Sequence, residues 1–504
     1  MAGPYQLAFL SGILLVLSFP PFGLSFLAWV ALVPLLLAAG PEKPASSMLY
    51  GLVCGVVFFG GALPWIYNAM HDFGHMGTLE SICLLALLVV YLSLFFALFA
   101  WGFALFGHGP GEMVFAPALF VLLEYLRGNF LSGFPWALLA HSQYLHPPVI
   151  QVASITGTAG VTFLIVLVNA SIAHAIRHRG EGRRAIAAPA LALSLLACNV
   201  LWGAAQVHTL ERAGGTPFTA SLVQGNVEQG QKWDPQYQDA VAQKYFDMTK
   251  AAAQEKPGLI VWPEAAAPFL YGHNPYYTGM ARQVVRDTNV PLMFGALGRD
   301  NDESGNPRYY NRAYLATPGG EDRMYDKMHL VPFGEYVPFR QALTFAKKLT
   351  QAVEGDTVPG TSTEPIKLDG ILSGVQICYE IIFPEGSRAF AANGARLIVN
   401  ITNDAWYGHS AASAQHMMSI PYRAVENRVP ILRAANTGIS CFITAAGEVR
   451  KPTGLFETVT ITDTVIIPPL QPTFYTRFGD IFTYGCIITA GLSFVLFRVG
   501  RRKL

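Results

Sequence analysis

The sequence predicts two regions of different class. All but the last of about eight spans of a polytopic α-helical membrane domain come first, and an α/β domain of sheets layered with helices follows before the closing span. Three observations carry this. The chain of 504 residues is 52% hydrophobic and only 13% charged, against roughly 25% charge in an ordinary soluble domain. The charge is unevenly placed: residues 1–200 hold six of the 34 Lys and Arg and six of the 33 Asp and Glu, leaving 28 and 27 for the remainder. In that remainder, short apolar β-rich runs alternate with amphipathic stretches.

Apolar stretches near or at spanning length, about 20 residues, recur at 6–19, 24–40, 49–67, 83–107, 113–127, 150–176 and 186–204, with a last one at 480–497. The first two are short and separated by Pro20-Pro21-Phe22-Gly23, which predicts a tight helical hairpin. No signal peptide is expected, because the first residues lack positive charge and the apolar segments continue. The most basic short loop of this part is Arg177 to Arg184, and the tail Arg498 to Lys503 is equally basic. The positive-inside bias places both in the cytoplasm. One span separates each from the polar region, which is therefore expected outside the cytoplasm. The predicted division is 1–204 for the first membrane helices, 205–475 for the polar domain, and 476–504 for a closing span and basic tail. A net charge of +1 gives no sign of a nucleic-acid partner.

Within the polar region the runs F-T-A-S-L-V, G-L-I-V-W-P, V-P-L-M-F-G, G-V-Q-I-C-Y, R-L-I-V-N-I-T and V-P-I-L-R-A read as strands. The stretches 236–254, 275–288 and 411–428 read as helices. Continuously apolar strands separated by helices suggest sheets buried beneath helices. No repeat and no low-complexity segment is visible.

Three reactive side chains sit at or just beyond strand ends: Glu264 closes L-I-V-W-P-E, Lys327 lies in M-Y-D-K-M-H-L-V-P-F-G-E, and Cys378 ends V-Q-I-C. Ligands gather at the carboxyl ends of strands in α/β sheets, so the three can converge. Singly each has an ordinary explanation: a turn glutamate, a surface lysine, an inert buried thiol. Together they meet the needs of acyl transfer. A thiol with a pKa of about 8.5 is only a few per cent thiolate at neutral pH and needs a base, which Glu264 could be. Attack on a carbonyl builds an oxyanion, which Lys327 and the backbone N–H of Tyr379 could stabilise. Of the six cysteines, Cys54, Cys83, Cys198 and Cys486 lie in apolar runs, where a free thiol acts as a small hydrophobe. Cys441 reads as packed and reduced. No C-x-x-C spacing points to zinc or a disulfide framework.

The trio W-P-E, K-x-x-L-V-P-F-G-E and I-C-Y-E, in this order, resembles the nitrilase-like carbon–nitrogen hydrolase superfamily. Taken with Q-G-N-V-E-Q-G-Q-K-W-D (Gln224 to Asp234), N-D-A-W-Y-G (Asn403 to Gly408) and G-F-P-W (Gly133 to Trp136), the set is similar to the apolipoprotein N-acyltransferase family over essentially the whole chain. The resemblance implies an αββα sandwich and a two-step reaction without a cofactor or metal. The cysteine takes an acyl chain from a phospholipid donor, giving a thioester. The acyl group then passes to the α-amino group of the diacylglyceryl-modified cysteine at the N-terminus of an apolipoprotein acceptor. It implies Cys378 as nucleophile, Glu264 as general base and Lys327 as oxyanion stabiliser. Glu335 would orient the lysine or shuttle protons, and Tyr379 and Glu380 would shape the nucleophile's pocket. Trp233 and Trp406 would line the acyl or headgroup pocket. Trp136 would contact substrate or simply anchor at the interface. A bacterial inner membrane, with the catalytic domain on the periplasmic side, is the compartment implied.

Glu124 and Arg127, three apart at the end of an apolar stretch, share a helix face. Ionisable groups there call for either function or mutual satisfaction. His409 and His416 lack further ligands at metal spacing, so no metal site is expected. A membrane-tethered amidase hydrolysing a small amide could use the same trio, but one span would anchor it. A transporter or scaffold is disfavoured by nearly charge-free spans and the absence of repeats.

Overall fold

The computed structural model describes residues 3–106, 111–232, 234–332, 334–336, 357–469 and 472–501. The chain divides into two compact units: 1–67, 78–209 and 473–504 form one, and 68–77 with 210–472 form the other.

In the first unit five described helices are long and apolar enough to cross a membrane: Pro44–Ala62, Thr78–Leu105, Glu112–Ser132, Thr158–Arg177 and Ala185–Arg212. Three shorter apolar helices, Pro4–Leu17, Ser25–Ala38 and Ile481–Val495, accompany them. The first, short hydrophobic pair of the sequence thus forms helices below spanning length. Small residues let neighbours approach. Gly51 and Gly55 lie against Phe96 and Ser93, where a Cβ would strike backbone. Glu112, fully buried, takes Arg177 through both oxygens (2.8 and 2.9 Å) and His174 at 2.8 Å.

The second unit is a four-layered α/β structure. Its first sheet runs in the order β12 (Val459–Ile467), β1 (Thr216–Gln224), β2 (Leu259–Val261), β3 (Leu292–Asn301), β4 (Pro307–Ala316) and β5 (Arg323–Asp326). The second runs β11 (Val449–Arg450), β10 (Cys441–Ile443), β9 (Ile431–Ala435), β8 (Leu397–Thr402), β7 (Ile371–Ile377) and β6 (Ile366–Leu368). Both have a parallel centre and antiparallel flanks. β1, β2 and β3 are parallel in one and β7, β8 and β9 in the other. The sheets face each other, β1 meeting β9, β12 meeting β10 and β4 meeting β7. Helices Gln238–Ala253 and Pro275–Thr288 cover the first, and Pro384–Ala392 and Ile420–Asn427 the second.

The strands read from the sequence are β1, β2, β3, β7, β8 and β9. These include both parallel centres, buried on two faces and so continuously apolar. The flanking antiparallel strands are short or mix exposed and buried positions, and gave no such run. The helix expected over 411–428 is two, Ala412–Met417 and Ile420–Asn427. Pro421 falls in the first turn of the second, where a missing N–H costs nothing. The segment 68–77, between two apolar helices of the sequence, belongs to the second unit.

Under the first helix layer, Trp262 packs on Tyr245, Phe246 and Phe294 and donates to Thr249 Oγ1 at 2.8 Å. Gly295 of β3 passes close beneath Glu264: a Cβ there would lie 2.7 Å from Glu264 Cα and 2.6 Å from the Ala265 nitrogen. Backbone cannot yield as a side chain does. Gly295→Ala is therefore expected to destabilise the chain by about 1–3 kcal/mol. Gly279, on helix Pro275–Thr288 with nothing within 4 Å of a Cβ, should behave oppositely, Gly279→Ala adding about 0.5–1 kcal/mol. Unfolding midpoints of the two variants in detergent check the pair.

Candidate active site

Glu264 owes its place to the shortness of β2. Pro263 has no N–H to extend the ladder, so the chain leaves the sheet and delivers the next side chain to the carboxyl edge of the parallel strands. Glu264 is 7% exposed. Its Oε2 accepts the Asn403 backbone N–H at 2.8 Å, and its Oε1 accepts Asn311 Nδ2 at 2.7 Å.

Lys327 follows β5 directly, its own N–H donating to the Asn311 carbonyl (2.9 Å). The side chain is 1% exposed, and Nζ sits 3.5 Å from Glu264 Oε1 and 2.9 Å from Glu335 Oε2. Burial would pull this ammonium down, but Glu335 and Glu264 outweigh it and hold the group above its ordinary value. Glu335 is tied in turn by the Val331 N–H (2.8 Å) and by Asn311 Nδ2 (2.7 Å). One amide thus bridges two carboxylates that share one ammonium.

Cys378 directly follows β7 of the second sheet and opens a short 3₁₀ turn, Cys378–Ile382. Its φ is +53°, a left-handed conformation that a non-glycine residue adopts only when its surroundings impose it. Burial and then the Glu264 charge push the thiol up, while Lys327 and a hydrogen bond with Thr402 pull it part of the way back. At neutral pH it rests as a thiol beside a carboxylate and an ammonium whose fields it feels.

Glu380 joins these pieces. Its Oε1 accepts the N–H groups of Met328 (2.7 Å) and His329 (3.0 Å), its Oε2 that of Ile377 (2.7 Å), and both accept the Tyr325 hydroxyl (2.9 and 3.1 Å). It ties the segment after the lysine, on one sheet, to the residue before the cysteine, on the other. Burial pushes its carboxyl up to about 7, against those backbone donors and Lys327. Tyr379 is buried, its ring edge-on to Phe383 at 5.1 Å.

Sequence reasoning missed several members of this site. Asn311 stands in a strand, where asparagine is depleted, and that was the available signal. Lys232 lies within the quoted Q-G-N-V-E-Q-G-Q-K-W-D. It is 2% exposed and its Nζ donates to the Glu264 carbonyl at 3.2 Å. Burial lowers it to about 8, with Glu264 and Cys378 pulling the other way. His416 reaches the Cys378 backbone. Arg433, an arginine inside the apolar run V-P-I-L-R-A, is fully buried in β9.

Trp406 lies on the turn Asp404–Tyr407, half-buried, its ring 5.9 Å from Phe73 of the 68–77 segment. Trp136 belongs to the first unit, 2% exposed. Its ring packs on Trp65 and Phe134, and its carbonyl takes Arg127 Nη1 at 2.7 Å. Trp233 lies outside the described residues. Glu124 and Arg127 satisfy one another and their neighbours: 3.7 Å apart, with Glu124 also accepting from Leu139 N–H and Thr162 Oγ1. His409 stacks on Phe456, and Cys441 Sγ lies 3.9 Å from Met417 Sδ.

Residues 11–171 match the family described as apolipoprotein N-acyltransferase N-terminal domain, and residues 219–469 match carbon-nitrogen hydrolase. The apolipoprotein N-acyltransferase of Geobacter metallireducens is 39% identical over 99% of this chain and 96% of its own. That of Nitrosomonas europaea is 33% identical over the whole of both, and that of Methylococcus capsulatus 34% over 99% and 96%. With 33–39% identity sustained over nearly the whole length of these relatives, the chain belongs to the apolipoprotein N-acyltransferase family.

Proposed function

We propose that this multi-pass membrane protein N-acylates lipoproteins, taking the acyl chain from a phospholipid through a thioester on Cys378. The observation that carries the chemistry is the cluster of buried Glu264 and Lys327 with half-buried Glu335, beside a thiol held at a strand end. Glu264 takes the thiol proton as sulfur attacks the ester carbonyl of the donor. The oxyanion is met by Lys327 Nζ and the Tyr379 N–H. Collapse breaks the ester bond, and Glu264 returns the proton to the departing oxygen, so a lysophospholipid leaves. The α-amine of a diacylglyceryl-cysteine N-terminus then attacks the thioester. Its proton passes through Glu264 to the leaving sulfur, and an amide and a free thiol result. Glu335 holds Lys327 in place; Tyr379 and Glu380 shape the pocket; Trp406 lines the acyl or headgroup side.

The five long apolar helices and the three shorter ones make eight spans in this reading, with boundaries at 204 and 475. The basic loop Arg177–Arg184 and the basic tail then face the cytoplasm. That leaves the catalytic domain on the periplasmic side of a bacterial inner membrane. A lipid donor and a lipidated acceptor both approach from the bilayer, which suits a site carried by so many helices better than hydrolysis of a small soluble amide does.

Intact mass of the purified chain, incubated in detergent with phospholipid and no acceptor, tests this. A fatty-acyl adduct should appear, be absent in Cys378→Ser, be removed by hydroxylamine, and clear when a diacylated lipopeptide is added. Clearance by water at the same rate, with no acylated lipopeptide, would instead make the protein a hydrolase.

Glu264→Gln separates charge from proton transfer. With the neighbouring carboxylate gone the thiol should titrate at lower pH, so alkylation of Cys378 by iodoacetamide should begin at lower pH than in the parent. Acyl transfer should nonetheless fall by about 10²–10⁴-fold. Glu380→Gln places an amide among backbone donors, and a buried donor without an acceptor costs about 1–3 kcal/mol. A lowered unfolding midpoint together with lost thioester formation is expected.

A further inference from the structure

The carbonyl of the nucleophile is itself bonded. His416 Nε2 lies 3.2 Å from the Cys378 backbone oxygen. A carbonyl only accepts, so Nε2 carries the hydrogen whichever way Nδ1 is protonated. Nδ1 is 3.1 Å from Asp404 Oδ1 and 3.2 Å from Arg433 Nη2. Arg433 also donates to Asp404 Oδ2 at 3.0 Å, to Asn400 Oδ1 at 2.6 Å and to the Ile439 carbonyl at 3.1 Å. Thr402 Oγ1 donates to Asp404 Oδ1 at 3.0 Å. His416, Asp404 and Arg433 are each buried to within 1%. Burial alone would raise the Asp404 carboxyl; Arg433 and His416 outweigh it and hold it at about 2, so it stays charged.

The peptide whose oxygen His416 holds is the one whose N–H belongs to Tyr379. In a planar trans peptide the oxygen and the N–H point in opposite directions, so pinning one aims the other. Cys378 sits at positive φ, where an L-residue is strained by about 1–3 kcal/mol. Rotation of the Cys378–Tyr379 peptide turns ψ of Cys378 and φ of Tyr379 and would break the bond to His416, so that bond resists it. Glu380 holds the N–H of Ile377 on the other side of the cysteine. We propose that His416, braced by Asp404 and Arg433, is the positioning residue that fixes the Cys378–Tyr379 peptide with its N–H facing the developing oxyanion. This rests on the acyl-transfer reading above and adds a residue to it that never touches substrate.

Two reagents separate this role from general support of the fold. Iodoacetamide alkylates the thiol by displacing iodide and builds no oxyanion. A p-nitrophenyl ester of a short fatty acid acylates the same sulfur through one. Both adducts on Cys378 are followed by intact mass in the full chain in detergent, for the parent and for His416→Leu, His416→Gln and His416→Asn. The glutamine amide can reach the Nε2 position and donate to the same carbonyl, whereas asparagine reaches only the Nδ1 side. Acylation should slow by about 10²-fold in the leucine and asparagine variants and stay within about tenfold of the parent in the glutamine variant. Alkylation should be unchanged in all three. Parallel loss of both reactions, equal behaviour of glutamine and asparagine, or undiminished acylation in His416→Leu would overturn the assignment. Should the leucine variant not fold, the glutamine–asparagine comparison decides. A parent that accepts no acyl group from the ester would instead bring down the acyl-transfer reading itself.

Discussion

Lys327 and Glu264 lie 3.5 Å apart in a place nearly closed to water, and neither charge is tolerable there alone. Removing one partner of a buried pair leaves an uncompensated charge costing several kcal/mol, so the site exists only as a set. The set is larger than the pair. Glu335 supplies a second carboxylate at 2.9 Å from the ammonium, and Lys232 a second ammonium bonded to the Glu264 carbonyl. Two negative and two positive groups balance, and Asn311 fixes the carboxylates by donating to both. A thiol placed beside them meets a carboxylate and an ammonium already oriented, which is the preorganised electrostatics that the proposed acyl transfer requires.

The charged cluster belongs to the first sheet and the thiol to the second, so the chemistry depends on how the sheets are registered. Glu380 is the main described tie. Its carboxylate gathers N–H groups from both sides of the divide, at Met328 and His329 and at Ile377. Asn403, just past β8, adds another by donating its N–H to Glu264. The layer between the sheets is correspondingly polar: Gln224, Asn400, Arg433 and Ser440 are all buried there and hydrogen-bonded, as buried polar groups must be.

Much of this could be read from the chain. The parallel centres of both sheets appeared as continuous apolar runs, because strands covered on two faces have no polar alternation. Glu264, Lys327 and Cys378 stood out because chemistry collects at strand ends, and their motifs located Glu335, Tyr379 and Glu380. The flanking antiparallel strands β4, β5, β6, β10, β11 and β12 were not read. Four of the six are only two to four residues long, and β4 and β12 mix exposed or half-buried positions with buried ones. Asn311 went unseen because it sits on β4, 47 residues from the Glu264 to which it donates. Arg433 was visible as a misfit within an apolar run, yet nothing local says that its charge is met by Asp404.

By itself the sequence determined which segments leave water and which chemistry is available. Hydrophobic periodicity, charge placement and residue type are local properties, written position by position. It could not decide which strand ends meet, because strand order here is not chain order: β12 pairs with β1, and β6 begins a second sheet. Nor could it say that a histidine 38 residues from Cys378 holds the Cys378 carbonyl. Those are consequences of packing two sheets face to face, which brings distant residues within hydrogen-bonding distance and excludes the water that would otherwise satisfy them.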